Sequence, residues 1–320
     1  MINRLAVCAV LMIVPMTGVQ AAPGPADSRP TRLVVPQAPG GSNDIFARYI
    51  GGMLAERIGT PVVVDNRPGA EGMIGTEIVA RAAPDGNTML MASTAFTMNP
   101  AVIRKLPYDP IKDFEFVATL GRGPVLITVG PSLPVNSIKE LVALGKSKPN
   151  HITMASAGGF MHFVSAMFRS QAGFDATIAL YKGGGPALTD VTGGHAHMAV
   201  ATIPTVSPHL RIGKVRALAI GSTKRLAIMP DLPTVIEAGV PGYEASIWWA
   251  WAASGGTPAT VINKLNAEIA TILRRPEVAK RFAADGAEVE IRTPAEIREM
   301  IKTDLVKWAK VAQDAKMQKN

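Results

Sequence analysis

The sequence predicts an α/β protein of two lobes, built from mainly parallel sheets flanked by helices. Three observations carry this. Strand-like and helix-like segments alternate from Leu33 to Ser93 and again from Pro124 to Gly221. Consecutive βαβ units imply parallel strands with helices on the sheet faces. A helical tail follows that has no sheet of its own and must pack back on one series, most simply the first. The chain then crosses between lobes near 125 and near 245. This predicts one lobe from residues 31–124 plus 246–320, a second from 125–245, and a cleft between them.

The elements read as follows. Leu33–Val35 is a strand. Asn43–Ile58 carries Ile45, Phe46, Tyr49, Ile50, Met53, Leu54 and Ile58 at helical spacing, with Gly59 at the position of a helix C-cap. "PVVVDN" is a strand, Met73–Ala82 a helix, Asp85-Gly86 a turn and "TMLMAS" a strand. "LPYDPIKDFEFVATL" interrupts the rhythm, which restarts at "PVLITV". Strands then fall near 152–155, 176–181, 198–202 and 217–221, with helices near 137–147, 162–171, 186–192 and 205–212. "SIWWAWAA" is a further strand, and three helical segments follow, with a weak strand at Glu288–Ile291. The last helix places Ile297, Met300, Ile301, Leu305, Trp308 and Val311 on one face. No solenoid repeat occurs.

The first residues form a processing signal rather than part of the fold. Met1–Arg4 is a short positive segment, and Leu5–Val14 is an apolar run of about ten residues, too short to span a bilayer. Val19 and Ala21 are small residues spaced for cleavage. Residues 1–21 are therefore expected to be a signal peptide. The single cysteine, Cys8, lies inside it, behind a Val7 that is bulky for a lipoprotein cleavage box. The processed chain has no thiol for a disulfide or for nucleophilic chemistry. Export without cysteine suits a bacterial periplasm.

The formal charge is +8, with Lys and Arg scattered along the chain. Without a basic stripe, nucleic acid is not an expected partner. Small anions suit a dispersed positive surface better.

In open parallel sheets, ligands bind beyond the C-terminal ends of the strands. Those ends are rich in glycine and hydroxyl side chains. The first strand runs into Pro39, Gly40, Gly41, Ser42 and Asp44, and the third ends at Ser93 and Thr94. In the second series the ends hold Ser156, Ala157, Gly158 and Gly159, then Lys182 and Gly183, then Thr202. Helix N-termini offer unpaired amides and favour negative charge, and glycine lets a ligand approach the backbone. Two such ends facing across a cleft would hold both ends of a dicarboxylate. The same glycines are equally compatible with ordinary strand-to-helix turns.

Other chemistries find less support. Neither G-x-G-x-x-G nor G-x-x-x-x-G-K-[ST] is present, and no G-x-S-x-G elbow occurs. The five histidines are scattered along the chain, which gives weak support to a metal site. Ser156 with His162 as base remains the one conceivable nucleophilic pair. Trp248, Trp249 and Trp251 read first as packing at a lobe crossing, and second as cleft lining.

Several stretches resemble a family. They include "APGGSNDIFAR", "VVVDNRPGAEGMIGTEIVARAAPDGNTML", "LPYDPIKDF", "SLPVNSIKELVALGKSKP", "YKGGGPALTDVTGGHAHM" and "GKVRALAIGSTKRLAIMPDLPTVIEAGVPGYE", with "GGTPATVINKLNAEI" and "LVKWAKVAQDA" in the tail. Together they are similar to the Bug-type, TctC-like extracytoplasmic solute receptors of tripartite tricarboxylate transporters, over nearly all of the processed chain. The resemblance implies a type II, Venus-flytrap periplasmic binding protein that closes around its ligand. It implies a small organic carboxylate held by backbone amides, hydroxyls and ordered water from the loops at Pro39–Asp44 and Ser156–His162. Transport follows from it rather than catalysis, with no cofactor, the membrane components of the transporter as partners, and a monomeric receptor.

Three departures stand out. The second loop of the family usually runs Ser-Ala-Gly-x-Gly-Ser-x-x-His. Here Ser156–His162 is two residues shorter, and Phe160 and Met161 bring apolar bulk. Many relatives place an acidic residue after the strand that here reads Ala199–Ile203, and its absence argues against an amino-acid ligand. Gln37 stands where relatives often have phenylalanine. An exported hydrolase using the same cleft, and a ligand-sensing partner of a membrane kinase, are the alternative readings.

Overall fold

The structure is a computed structural model that describes residues 29–314. The expected signal peptide, with Cys8, lies outside the described residues.

β1 (Thr31–Val35) leads into α1 (Ser42–Ile58), β2 (Val62–Asn66), a 3-10 turn at Ala70–Gly72, α2 (Met73–Ala80) and β3 (Thr88–Ser93). β1 pairs in parallel with both β2 and β3. α1 buries Phe46, Ala47, Ile50 and Leu54 on one face, and Gly59 closes it in the left-handed conformation at φ 72.

α3 (Thr94–Val102) and β4 (Phe114–Val129) come next. Both depart from expectation. α3 carries Pro100 inside it, a residue that locally reads as a helix breaker. β4 is one strand through Gly121, Gly123 and Pro124, which read locally as a boundary. Gly121 is needed there because a Cβ would overlap the Glu288 carbonyl oxygen.

The second series runs α4 (Ile138–Ser147), β5 (Ile152–Ser156), α5 (Gly159–Ala172), β6 (Ala176–Leu180), α6 (Gly184–Gly193), β7 (Met198–Thr202), α7 (Ile203–Arg211) and β8 (Arg216–Ile220). β5 pairs in parallel with β6 and β7. β9 (Ser246–Ser254), α8 (Ala259–Leu273), α9 (Pro276–Ala284), β10 (Glu288–Val289) and α10 (Pro294–Asp314) complete the described chain.

The strands form a curled, mixed ten-stranded sheet in the order β2-β1-β3-β9-β4-β7-β5-β6, with β8 and β10 also on β4. β4 joins the two lobes. Its Phe114–Pro124 half pairs with β9, and its Val125–Val129 half pairs with β7 and β8. Register shifts at Phe116/Ala118 and Thr119/Gly121 interrupt the β4–β9 ladder, and such irregularities bend a strand. Pro124 sits where the chain changes partners, a place where a missing donor costs the ladder least.

The tail packs on the first lobe. α8 lies on α1, tied by Arg57 Nε to Glu268 Oε2 at 2.6 Å. α10 lies on α3 and β4, burying Ile297 and Ile301. Phe46 of α1 sits 4.6 Å from the Trp249 ring and 4.4 Å from the Phe282 ring, centroid to centroid. Burying one such side chain stabilises by about 1.5–3 kcal/mol. The tryptophans take up the packing role. Trp249 and Trp251 are fully buried, and their indole N–H groups meet Ser42 Oγ and Met91 Sδ. Trp248 Nε1 donates to Asp304 Oδ2 at 2.7 Å.

Candidate ligand-binding site

A strand-to-helix turn carries the helix start to the C-terminal end of the strand. The fold repeats this at α1, α3, α5, α6 and α7, and residues at all five starts line one cavity of about 300 Å3 between the lobes. That volume is at the lower end of the range for small-molecule sites, about 300–1,000 Å3. The N-cap residues Gly41, Ser93, Gly158, Gly183 and Thr202 make no side-chain capping hydrogen bond. These helices therefore turn the positive ends of their dipoles towards the cavity, and their N-cap side chains leave the first amides unsatisfied; at α5 the Gly159 amide is taken instead by the Glu71 carboxylate.

The hydroxyl groups are arranged to donate. Ser42 Oγ accepts from Trp249 Nε1 at 3.2 Å, and Ser93 Oγ accepts from Asn43 Nδ2 at 3.2 Å. With an acceptor position occupied on each oxygen, each hydroxyl hydrogen is free to turn to a ligand. Asn43 Nδ2 also donates to Gln37 Oε1 at 2.6 Å, which fixes both amides. On the other side Thr202 Oγ1 and Thr205 Oγ1 share one hydrogen bond at 2.8 Å, so one of their two hydrogens stays available. Tyr181 OH donates to Asp190 Oδ2 at 2.6 Å. Burial, then the Asp190 carboxylate, pushes its pKa up to about 12, so it stays protonated.

The lobes are closed on one another. Ala38 N donates to the Lys182 carbonyl oxygen at 2.8 Å across the cleft. The β1–α1 turn lies against the start of α6: a Cβ on Gly40 would come 3.3 Å from Gly185 Cα, and one on Gly41 3.5 Å from Gly184 N. Gly40 has φ +85, so its side chain is also excluded by backbone conformation. Gly41 has an ordinary φ of −84 and room for a methyl group in ordinary contact with the neighbouring lobe, so only a larger side chain would press on that lobe.

Among the sequence-predicted residues, Gly41, Ser42, Ser93, Ala157, Gly158, Gly159, Phe160, Lys182 and Thr202 line the cavity. Pro39, Gly40, Asp44, Thr94, Ser156, His162 and Gly183 are not among the lining residues. Asp44 Oδ2 accepts from Gly40 N at 3.1 Å, and its Oδ1 accepts from Arg48 Nε at 3.0 Å. Thr94 Oγ1 accepts from Trp248 N at 3.1 Å. Gly183 leaves Ala38 its place, since a Cβ there would come 2.8 Å from Ala38 N. Ser156 is fully buried, with Oγ accepting from Gly158 N at 3.4 Å, and His162 lies in the first turn of α5. No hydrogen bond joins these two among the described residues.

Sequence reasoning did not find Glu71 or Thr205, and it did not single out Asn43 or Gly184 within the strand-end loops that hold them; all four also line the cavity. Asn43 and Thr205 follow cleft-facing N-caps by two and three residues, a spacing that reaches the same space. Among the described residues no group of three His, Cys, Asp or Glu side chains is placed to hold a metal ion. No described helix is long and apolar enough to cross a membrane.

Two α/β lobes joined through β4 and β9, closed over a cavity ringed by helix N-termini, define a type II solute-binding protein. Comparison with known proteins agrees. The chain belongs to the TctC family, described as the tripartite tricarboxylate transporter family receptor, whose model matches residues 46–317. It is 35% identical to Protein BugT of Bordetella pertussis over 319 residues, 98% of each chain. Among solved structures, it is similar to the periplasmic binding protein BugD, with a TM-score of 0.88 and 33% identity over 92% of this chain and 100% of that one. Rpa4515 of R. palustris with adipate gives 0.88 and 32% over 92% and 99% of the two chains. MatC of Rhodopseudomonas palustris with bound malate gives 0.83 and 32% over 88% and 98%.

Proposed function

We propose that this protein is a periplasmic receptor that captures a small organic carboxylate between its lobes and delivers it to the membrane components of a tripartite tricarboxylate-type transporter. The observation that carries this reading is the donor character of the cavity. Helix starts from both lobes converge on it, and Ser42 and Ser93 are held so that their hydroxyls donate. Such a surface stabilises an anion through charge-assisted hydrogen bonds in a desolvated site. Structural neighbours named for adipate and malate complexes support the same ligand class.

We assign residues 31–124 and 246–314 to one lobe and 125–245 to the other. The ligand enters when the lobes part about β4 and β9, and the closed form then shields it from water.

The test is a thermal-shift screen against mono-, di- and tricarboxylates, aromatic acids and acidic amino acids. A true ligand at ~100 times its dissociation constant adds about 2.7 kcal/mol of stability. The transport half is tested separately, by uptake of that ligand in cells lacking the receptor. No stabilisation by any carboxylate counts against the binding reading, and undiminished uptake counts against the transporter partnership.

A further inference from the structure

We propose that Glu71 is a built-in carboxylate that fills the α5 end of the cavity, so that this receptor selects ligands with one carboxylate and an apolar body over ligands with a carboxylate at each end. The inference rests on the carboxylate-receptor reading above and specifies which carboxylates.

Glu71 belongs to the first lobe, on the 3-10 turn between β2 and α2. Its Oε2 accepts the amide hydrogen of Gly159, the first residue of α5 in the second lobe. Gly158 leaves room for it, since a Cβ there would come 2.9 Å from Glu71 Oε2. The protein's own carboxylate thus occupies the position that an uncapped helix start offers to an anion.

The backbone is arranged for this placement. Ala70 and Glu71 both have positive φ, at 46 and 56, which side chains with a Cβ rarely adopt. Gly69 and Gly72 flank them at φ 128 and 87. Asn99, buried in α3, donates from Nδ2 to the Glu71 carbonyl oxygen at 3.0 Å and holds the turn. Backbone strain of this kind persists where the surroundings enforce it, and ligand clamps are common examples.

The remaining lining is divided. Hydroxyl donors stand at Ser42 and Ser93 on one lobe and at Thr202 and Thr205 on the other. The floor of the second lobe is lined by Ala155, Ala199, Ala201 and Leu188, with Phe160 and Met161 beside them. Glu71 is the only acidic side chain among the described lining residues. A ligand carboxylate reaching the α5 end would face a like charge in a partly desolvated space. An apolar body meets methyl groups there. A ligand cation gains less from Glu71 than from a free carboxylate, because the α5 amide and dipole already stabilise that charge.

The experiment uses matched probes in isothermal titration calorimetry at neutral pH: butanoate with succinate, hexanoate with adipate, benzoate with terephthalate, and 6-aminohexanoate. Wild type is compared with Glu71→Ala, Glu71→Gln and Glu71→Gly, the last of which keeps the left-handed backbone without strain. Wild type is expected to bind the best monocarboxylate about tenfold or more tighter than its dicarboxylate partner. 6-Aminohexanoate should bind no tighter than hexanoate. Glu71→Ala and Glu71→Gly should shift that ratio towards the dicarboxylate by about tenfold, as its second carboxylate takes the Gly159 amide. If carboxylates bind wild type but the ratio is unmoved in both variants, the inference fails and the receptor reading stands. Tighter binding of 6-aminohexanoate by wild type, lost in Glu71→Gln, also overturns it by making Glu71 a counter-charge. Binding of no carboxylate to any form overturns both readings.

Discussion

Gly185 and Pro39 meet across the cleft with no space for a methyl group between them: a Cβ built on Gly185 overlaps the Pro39 carbonyl oxygen. Gly185 lies in α6 and has no positive φ, so its own lobe tolerates a side chain there. Exchanging Gly for Ala within a helix favours the helix by about 0.8–1 kcal/mol. Gly185→Ala should therefore leave the melting temperature without ligand unchanged or raised. It should weaken ligand binding at least tenfold, about 1.4 kcal/mol, because the closed form no longer fits. Small-angle scattering should find the liganded variant more expanded than liganded wild type. Unchanged affinity would show that the lobes close without this contact.

Gly41→Val separates close approach from backbone conformation. Gly41 has an ordinary φ, but Gly184 of the other lobe stands 3.5 Å from its Cβ position. Affinity should fall by ~1–3 kcal/mol, the scale of a lost charge-assisted hydrogen bond. The apo melting temperature should move less than in Ile50→Ala, a core truncation costing about 2–5 kcal/mol. Gly159→Val is the contrast: at φ +51 it should lower stability and affinity together. A Gly41→Val protein with a lower melting temperature and unchanged affinity would refute the close-approach account.

Trp308 of α10 reports on closure. Its ring lies 5.8 Å from Phe160 and 5.4 Å from Phe163, both on α5 of the other lobe. Such aromatic pairs contribute about 0.5–1.5 kcal/mol each beyond burial. Trp308→Ala should expand the apo protein in scattering and lower ligand affinity about tenfold or more. If the variant stays compact and binds normally, the contact follows closure rather than supporting it.

His197 should make stability fall in mild acid. Its Nδ1 accepts the Thr153 amide at 3.0 Å, which requires the neutral ring. Burial, then the charge of His151 beside it, lowers its pKa. The unfolded chain, with a histidine pKa of about 6.5, therefore takes up protons first as pH drops. The stabilisation is complete above about 6.5, declines as pH falls through the window between the two pKa values, and levels off below the folded one. Urea unfolding from pH 7.5 to 5 should show this decline. His197→Asn keeps an acceptor for the amide without titrating, and should flatten it. An equal slope in both proteins would assign the acid sensitivity elsewhere.

Regular periodicity makes β1, α1, β2, α2 and β3 legible, because the burying face of each recurs within a few residues. α3 is hidden by Pro100, and the continuity of β4 by Gly121, Gly123 and Pro124. These residues break structure locally, yet here the neighbouring strands and helices hold the chain in place. The site divides in the same way. Gly41, Ser42, Ser93, Gly158, Gly159, Lys182 and Thr202 can be found from sequence, because a parallel strand followed by a helix delivers its end to one edge of the sheet.

The sequence by itself determined the alternation of strands and helices, the glycine- and hydroxyl-rich helix starts, and the resemblance that led to the family. Those are properties of short segments, set by local sterics and side-chain pattern. Only the tertiary structure decided what Gly40 and Gly41 face, that Ser42 and Ser93 have their acceptor sides occupied, and that Glu71 answers the start of α5. The physical reason is separation along the chain. Glu71 and Gly159 are 88 residues apart, as Trp249 and Ser42 are 207. Neither member of either pair has a local conformational preference that reveals its partner: the Trp249–Ser42 bond exists only once distant segments of the first lobe have folded together, and the Glu71–Gly159 bond only after the two lobes have closed.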